Sequence, residues 1–243
     1  MSMRRAEVFF SFVSPYAWNA ALGLDRISDI RWTPFWAPTS PEIRHRLERH
    51  GHQVLGSPMP FQKVLYALGH LRRRAAARGT AMALPRDRHA DWDLPHLAFL
   101  EARTHGKERA FLLDAYTTRW VNGEDITSIE CLARIFERIG LDPVAPASLR
   151  SNGDLWEEAA DGLSRAYRHG VFGVPFFVGD HESYWGIDRM SDFVLELNEQ
   201  TDHAERSATP EHDGSAESLI PDPPSEVVDT IGMYDFDHPG GCG

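Results

Sequence analysis

An α/β fold, with strands opening and closing the chain around a mostly helical middle, is predicted by three observations. Residues 6–13, AEVFFSFV, are a short run rich in aromatic and β-branched residues, followed at once by Ser14-Pro15. Most of residues 41–169 then carry apolar side chains at helical spacing. Strand signals return at residues 175–185, ahead of a last amphipathic stretch.

Each element follows from local chemistry. Residues 6–13 read as a buried strand. Pro15 suits the first turn of a helix, where its missing N–H costs nothing. A helix from Pro15 to about Ile27 then carries Ser14 at its N-terminus. Ile30-Arg31-Trp32-Thr33-Pro34-Phe35 reads as a second strand ended by Pro34, which completes a β-α-β unit. Residues 41–79 are expected to be helical, with Phe61, Val64, Leu65, Leu68 and Leu71 at helical spacing, and residues 80–92 to form a loop. Further helices are expected over 95–105, 107–121, 127–139 and 153–169; either Thr127 or Ser128 can cap the third of these. Pro175-Phe176-Phe177-Val178 reads as a strand, Gly179-Asp180 as a hairpin turn and Glu182-Ser183-Tyr184-Trp185 as its partner. Asp188 to about Glu199 is the closing helix.

Three stretches carry more than secondary structure. Phe10-Ser11-Phe12-Val13-Ser14-Pro15-Tyr16-Ala17, Gly170-Val171-Phe172-Gly173-Val174-Pro175-Phe176-Phe177-Val178 and Trp185-Gly186-Ile187-Asp188-Arg189 together resemble the DsbA-like branch of the thioredoxin superfamily. Within it the similarity is to the kappa-class glutathione transferases and 2-hydroxychromene-2-carboxylate isomerases. The resemblance spans about residues 6–199. It implies an α/β, thioredoxin-like fold over residues 1–200, interrupted by a large DsbA-like helical insertion at about 41–165. Redox members of the superfamily open the first helix with Cys-x-x-Cys. Here the two positions read Ser14 and Ala17, which argues against disulfide exchange and for chemistry that uses a borrowed thiol.

Ser14 is the candidate catalytic residue. A helix N-terminus directs unpaired N–H groups and partial positive charge outward. A serine hydroxyl does not ionise at neutral pH, so its useful role there is as a donor, holding a cofactor thiol as thiolate. Such a charge-assisted bond is worth roughly 1.5–3 kcal/mol, about one to two pKa units on the thiol. Ser14 also suits a plain N-cap, with its hydroxyl accepting a backbone N–H; the two roles are compatible.

The remaining site residues follow from the resemblance. It implies a cis Val174-Pro175 bond facing the helix N-terminus, with the backbone N–H and C=O of Val174 free to pair with a peptide-like thiol. It places Asp188 and Arg189 at the γ-glutamyl end of glutathione, Asp188 against an ammonium. Ile187 stands where relatives often carry Ser or Gln, which leaves room for a thiol other than glutathione. The expected cofactor is therefore glutathione or another low-molecular-weight thiol, mycothiol included. Residues 34–41 (PFWAPTSP) and 91–96 (DWDLPH) depart from the family pattern on the substrate side. An aromatic, reshaped acceptor site is inferred, using Tyr16, Trp18, Trp36 and Trp92. The activity implied is isomerisation, or transfer, of an aromatic or polyketide-like small molecule. A non-catalytic binding module is the alternative, with DsbA-type redox chemistry disfavoured.

Composition narrows the rest. The chain has 243 residues and a net charge of −11, but residues 201–243 hold ten acidic residues and only Arg206 as a base. The charge therefore belongs mainly to an acidic tail, expected to be largely disordered. One stretch of it, Val227 to Phe236, is apolar enough to dock on the body, another protomer or a partner. Arg72, Arg73, Arg74, Arg78, Arg86 and Arg88 form a basic patch, read as a solvated face or as a place for that tail to dock. No nucleic-acid partner is expected. No apolar run approaches the ~18 residues of a membrane span, and no leader precedes the first strand, so no membrane association and a cytoplasmic location are expected. Cys131 and Cys242 lie far apart in different contexts, which makes a structural disulfide unexpected. The 12 His show no metal-ligand spacing, so no metal is proposed. The resemblance suggests a homodimer.

Overall fold

The computed structural model describes residues 6–27, 29–49, 60–85, 87 and 91–208. Its centre is a four-stranded sheet in the order β2-β1-β3-β4, built from β1 (Ala6–Phe10), β2 (Ile30–Pro34), β3 (Phe176–Val178) and β4 (Ser183–Trp185). β1 pairs with β2 in parallel, Val8 beside Trp32, and with β3 in antiparallel, Val8 beside Phe177. The parallel pair requires a crossover, which α1 (Pro15–Gly23) supplies. β3 and β4 form an antiparallel hairpin. Gly179 N–H bonds to Glu182 O at 2.9 Å, so the turn residues are Asp180-His181, one step beyond the expected Gly179-Asp180.

β1 is buried along its whole length because both faces are covered. Val8 and Phe10 join the main core, whereas Phe9 packs in a second cluster with Ala166, Val171, Val174 and Phe176. Glu7 sits on the same face as Phe9. It accepts from Thr33 and from Arg165 Nε at 3.3 Å, and Arg165 belongs to α7 (Gly153–Arg168). Gly162 of α7 leaves room for the sheet: a Cβ there would lie 3.3 Å from Thr33 Cγ2.

Between β2 and β3 lie α2 (Pro41–Arg49), α3 (Phe61–Ala77), α4 (Asp93–Thr104), α5 (Glu108–Trp120), α6 (Ile129–Arg138), a 3-10 turn (Ala145–Ser151) and α7. The expected 41–79 helix is thus two helices, with residues 50–59 outside the described part. α4 starts at Asp93 rather than residue 95, because Pro95 falls in its first turn, where no intrahelical donor is needed. Ser128 is the cap of α6, accepting from Cys131 N at 3.1 Å; Thr127 Oγ1 is taken up by Asp125 at 2.6 Å. Asn152 caps α7 by accepting from Asp154 N and Leu155 N.

A one-turn 3-10 segment, Ile187–Arg189, leads into α8 (Met190–Ala208), which continues beyond the Glu199 expected as its end. The apolar tail stretch, Arg86 and Arg88 lie outside the described residues. Among the described residues no helix is long and apolar enough to cross a membrane.

Candidate functional site

β1 stops at Phe10, short of the expected residue 13, and the chain turns through Ser11, Phe12 and Val13. Ser14 N–H closes this turn on Ser11 O at 3.0 Å. Ser14 then caps α1 with extended backbone, φ −91° and ψ 114°, and Pro15 follows in the first turn. Its Oγ accepts from Ala17 N at 3.2 Å. The same hydroxyl donates to Val174 O at 3.2 Å, bridging 160 residues of sequence. Ser14 is therefore buried and satisfied both as donor and as acceptor.

The Val174-Pro175 peptide is cis. Its neighbourhood corrects one expectation: the Val174 carbonyl is not free, because it accepts the Ser14 hydroxyl. Pro175 O accepts from Gly186 N at 2.9 Å, which ties the loop before β3 to the segment after β4. A chain of hydrogen bonds thus joins Ser14, Val174-Pro175 and the Gly186–Arg189 segment, three stretches far apart in sequence.

Asp188 lies in the 3-10 segment, three-quarters exposed, and meets Arg74 of α3 at 3.7 Å. Arg189 is also exposed and pairs with Asp192 in the first turn of α8 at 3.2 Å. Ile187 between Gly186 and Asp188 is buried in the core. The acidic group of this motif faces solvent, and the base is held by a local partner.

The four aromatic candidates separate. Tyr16 lies in the first turn of α1, its hydroxyl 3.0 Å from His70 Nδ1 of α3. Trp92 stands partly exposed at the start of α4, its ring 4.5 Å from the Arg119 guanidinium. Trp18 and Trp36 are core residues, and Tyr16, 5% exposed, is buried with them. Trp18 is wholly buried with its ring stacked on Trp120, 6.4 Å between centroids. Trp36 lies flat on His96 at 4.6 Å and donates its Nε1–H to Asp93 at 2.8 Å. Both rings are committed to packing, which removes them from a ligand surface. Two apolar side chains unremarked in the sequence do face solvent beside the site: Val13 next to Ser14, and Phe172, whose ring lies 4.7 Å from that of Trp185.

Beneath the Ser11–Ser14 turn is a buried polar network. His96 Nδ1 lies 2.5 Å from Trp92 O, so this nitrogen carries the proton. Nε2 is then an acceptor, facing Phe12 N–H at 3.3 Å and Ser11 Oγ at 3.4 Å. Burial pushes the His96 pKa down to about 4, which keeps the ring neutral. Tyr116 donates to Ser11 O at 3.0 Å, and burial raises its own pKa well above the ordinary value. Asp93 is fully buried and accepts from Trp36 Nε1, Thr39 N, Thr39 Oγ1 and Ser40 N. Arg119, also buried, pairs with Asp87 at 2.5 Å and lies over the rings of Trp92 and Trp120. This layer fixes the turn that presents Ser14. Its one local sign in sequence is Asp93 three residues before His96, which puts the two on one helix face.

The DSBA-like thioredoxin domain matches residues 5–198 of the chain. The chain belongs to this family. At the start of α1 it carries Ser14 and Ala17 and no cysteine. A 2-hydroxychromene-2-carboxylate isomerase from Sphingobium xenophagum is 27% identical over 194 residues, 77% of this chain and 94% of that protein. A solved 2-hydroxychromene-2-carboxylate isomerase superposes with a TM-score of 0.68 at 19% identity, covering 84% of this chain and 99% of that one. A probable DsbA oxidoreductase from Streptomyces coelicolor superposes at 0.62 with 21% identity, covering 90% and 97% of the two chains.

The other thiol chemistry the domain could carry is constrained by burial. Cys131 lies buried in α6, and its pKa is pushed up to about 11, chiefly by desolvation, so it is a poor thiolate. Cys242 lies outside the described residues. Among the described residues no group of three His, Cys, Asp or Glu could hold a metal ion.

Proposed function

We propose that this domain is a thiol-dependent isomerase of the 2-hydroxychromene-2-carboxylate isomerase type, acting on an aromatic or polyketide-like small molecule. The observation that carries the reading is the Ser14 hydroxyl, placed at the N-terminus of α1 and against the carbonyl that precedes the cis-proline. The relative from Sphingobium xenophagum supports the isomerase class.

The residues present fit a small thiol, glutathione or mycothiol. A bound thiol would supply a nucleophile able to add to an electron-poor carbon and later leave it. Ser14 has one proton to give, now held by Val174 O, and it is released to a sulfur by rotation about one bond. The helix N-terminus adds a favourable field for negative charge there. Val174 O, once released, is an acceptor for a peptide N–H. Asp188 is the exposed anion for an ammonium, with Arg189 beside it. Trp92, with exposed Val13 and Phe172, supplies the aromatic and apolar surface for the substrate.

The exchange sets the magnitude. A neutral hydrogen bond worth about 1 kcal/mol is replaced by a charge-assisted one worth roughly 1.5–3 kcal/mol. The net gain of about 0.5–2 kcal/mol centres on roughly tenfold in affinity. Calorimetric titration with glutathione and with mycothiol is the test. Saturable binding of one of them, weakened about tenfold in Ser14→Ala, is expected. Equal binding by Ser14→Ala, or none by either thiol, overturns the reading. Recovery of the thiol unchanged after turnover marks an isomerase; its consumption marks a transferase.

A further inference from the structure

We propose that residues 227–236 of this chain dock on the outer face of its own helix α3. The proposal does not depend on the thiol chemistry.

α3 presents an unusual surface. Phe61, Leu65 and Tyr66 are 69%, 53% and 71% exposed. At 100° per residue, these three share an arc of about 140° with Arg72 and Arg73. Leu71, on the opposite side, is buried in the core, as is Ala75 at the flank. Gly69 lies near the middle of the exposed arc, where a Cβ would meet only Arg73 NH1, at 3.6 Å. The face is therefore an apolar strip with a dip in it and arginines at one end. Large aromatic and aliphatic side chains grouped this way mark a contact surface. The 17 residues of α3 include Lys63, Arg72, Arg73 and Arg74 and no Asp or Glu.

The chain carries a segment of complementary chemistry. Residues 209–243 hold eight acidic residues and neither Lys nor Arg. Their apolar side chains concentrate in Val227-Val228-Asp229-Thr230-Ile231-Gly232-Met233-Tyr234-Asp235-Phe236. That stretch offers apolar groups for the Phe61–Tyr66 strip and carboxylates for Arg72 and Arg73. A nucleic acid attracted by the arginines would be repelled by the tail, so charge selects the tail itself.

Reach permits it. Met190 at the start of α8 sits beside Gly23, where the Arg78 guanidinium that follows α3 also lies. α8 spans 19 residues, about 28 Å. The residues from Ala208 to Val227 can add at most about 60 Å. Tethering at this distance raises the local concentration of the segment to a range that favours docking within the chain over docking between chains.

The test uses the full chain. Cys131 is buried, so a nitroxide can be attached at Cys242, six residues past Phe236. At about 20 mM salt the amide signals of residues 61–74 should lose at least half their intensity relative to those of α6. At about 1 M salt, where the screening length falls to about 3 Å, they should recover. The exposed double variant Arg72→Glu/Arg73→Glu should recover them at low salt, as should Phe236→Asp in the docking segment itself. Three results overturn the proposal: no preferential loss on α3; loss unaffected by either variant; or loss seen only when spin-labelled and isotope-labelled chains are mixed, which makes a second copy the occupant.

Discussion

Acidification from pH 6.5 to 5 should weaken the fold through His96, and the structure supplies the size of the effect. Native His96 has a pKa near 4, against an ordinary 6.5, because the ring is fully buried. In the unfolded chain the ring takes up its proton as pH falls through 6.5, whereas the native ring does not do so until about pH 4. The folded pKa is depressed, so the stability is fully present above pH 6.5. It falls by roughly 1.4 kcal/mol per pH unit below that. About 2 kcal/mol is lost by pH 5 and about 3 kcal/mol by pH 4. Geometry agrees: protonating Nε2 would set an N–H against Phe12 N–H and remove the acceptor that Ser11 Oγ now faces. The assay is urea unfolding of the wild type and of His96→Gln at pH 6.5 and pH 5, with the difference isolating this ring from other titrations. The wild type should lose about 2 kcal/mol more than the variant. Proton NMR should show the His96 ring still neutral at pH 5. Equal losses, or a His96 midpoint near 6.5, would refute the reasoning.

Other outcomes are expected. Ser14→Ala removes an N-cap and leaves Val174 O without its donor, so it should cost about 1–2 kcal/mol in denaturant unfolding while lowering turnover by orders of magnitude. Asp93→Ala strands the Trp36 Nε1–H and the backbone N–H groups of Thr39 and Ser40; a loss of about 3 kcal/mol or more in the same assay is expected. A native-state thiol titration should modify Cys131 only after unfolding, since the Cys131 pKa is near 11 and its sulfur is buried. Arg119→Lys gives up the two-pronged contact with Asp87 and the flat packing on Trp92 and Trp120, and should destabilise by about 1–2 kcal/mol by thermal unfolding.

Much of the fold was legible because its causes are local. The aromatic run at residues 6–10, Pro15 behind a capping serine and the strand pair at 176–185 each declare themselves within a few residues. Boundaries slipped where a neighbour intervened. β1 ends at Phe10 because Ser14 N–H bonds back to Ser11 O, and the hairpin turns at Asp180-His181 because Gly179 still pairs with Glu182. The candidate site was legible in part. Ser14, Val174, Pro175 and the Gly186–Arg189 segment are joined by hydrogen bonds, whereas Tyr16, Trp18 and Trp36 are core residues. Aromatic content does not distinguish a ring packed inside from one that lines a pocket.

From the sequence alone come the β-α-β opening, the serine at the start of its helix, the absence of a cysteine pair there and the acidic character of the last 43 residues. These depend on residue type and short spacing. Tertiary structure alone decided that the Ser14 proton is held by Val174 O and that His96 stands neutral beneath the turn. It likewise decided that Asp188 faces solvent beside Arg74. Each of these depends on distance and desolvation between residues remote in the chain, which no local pattern encodes.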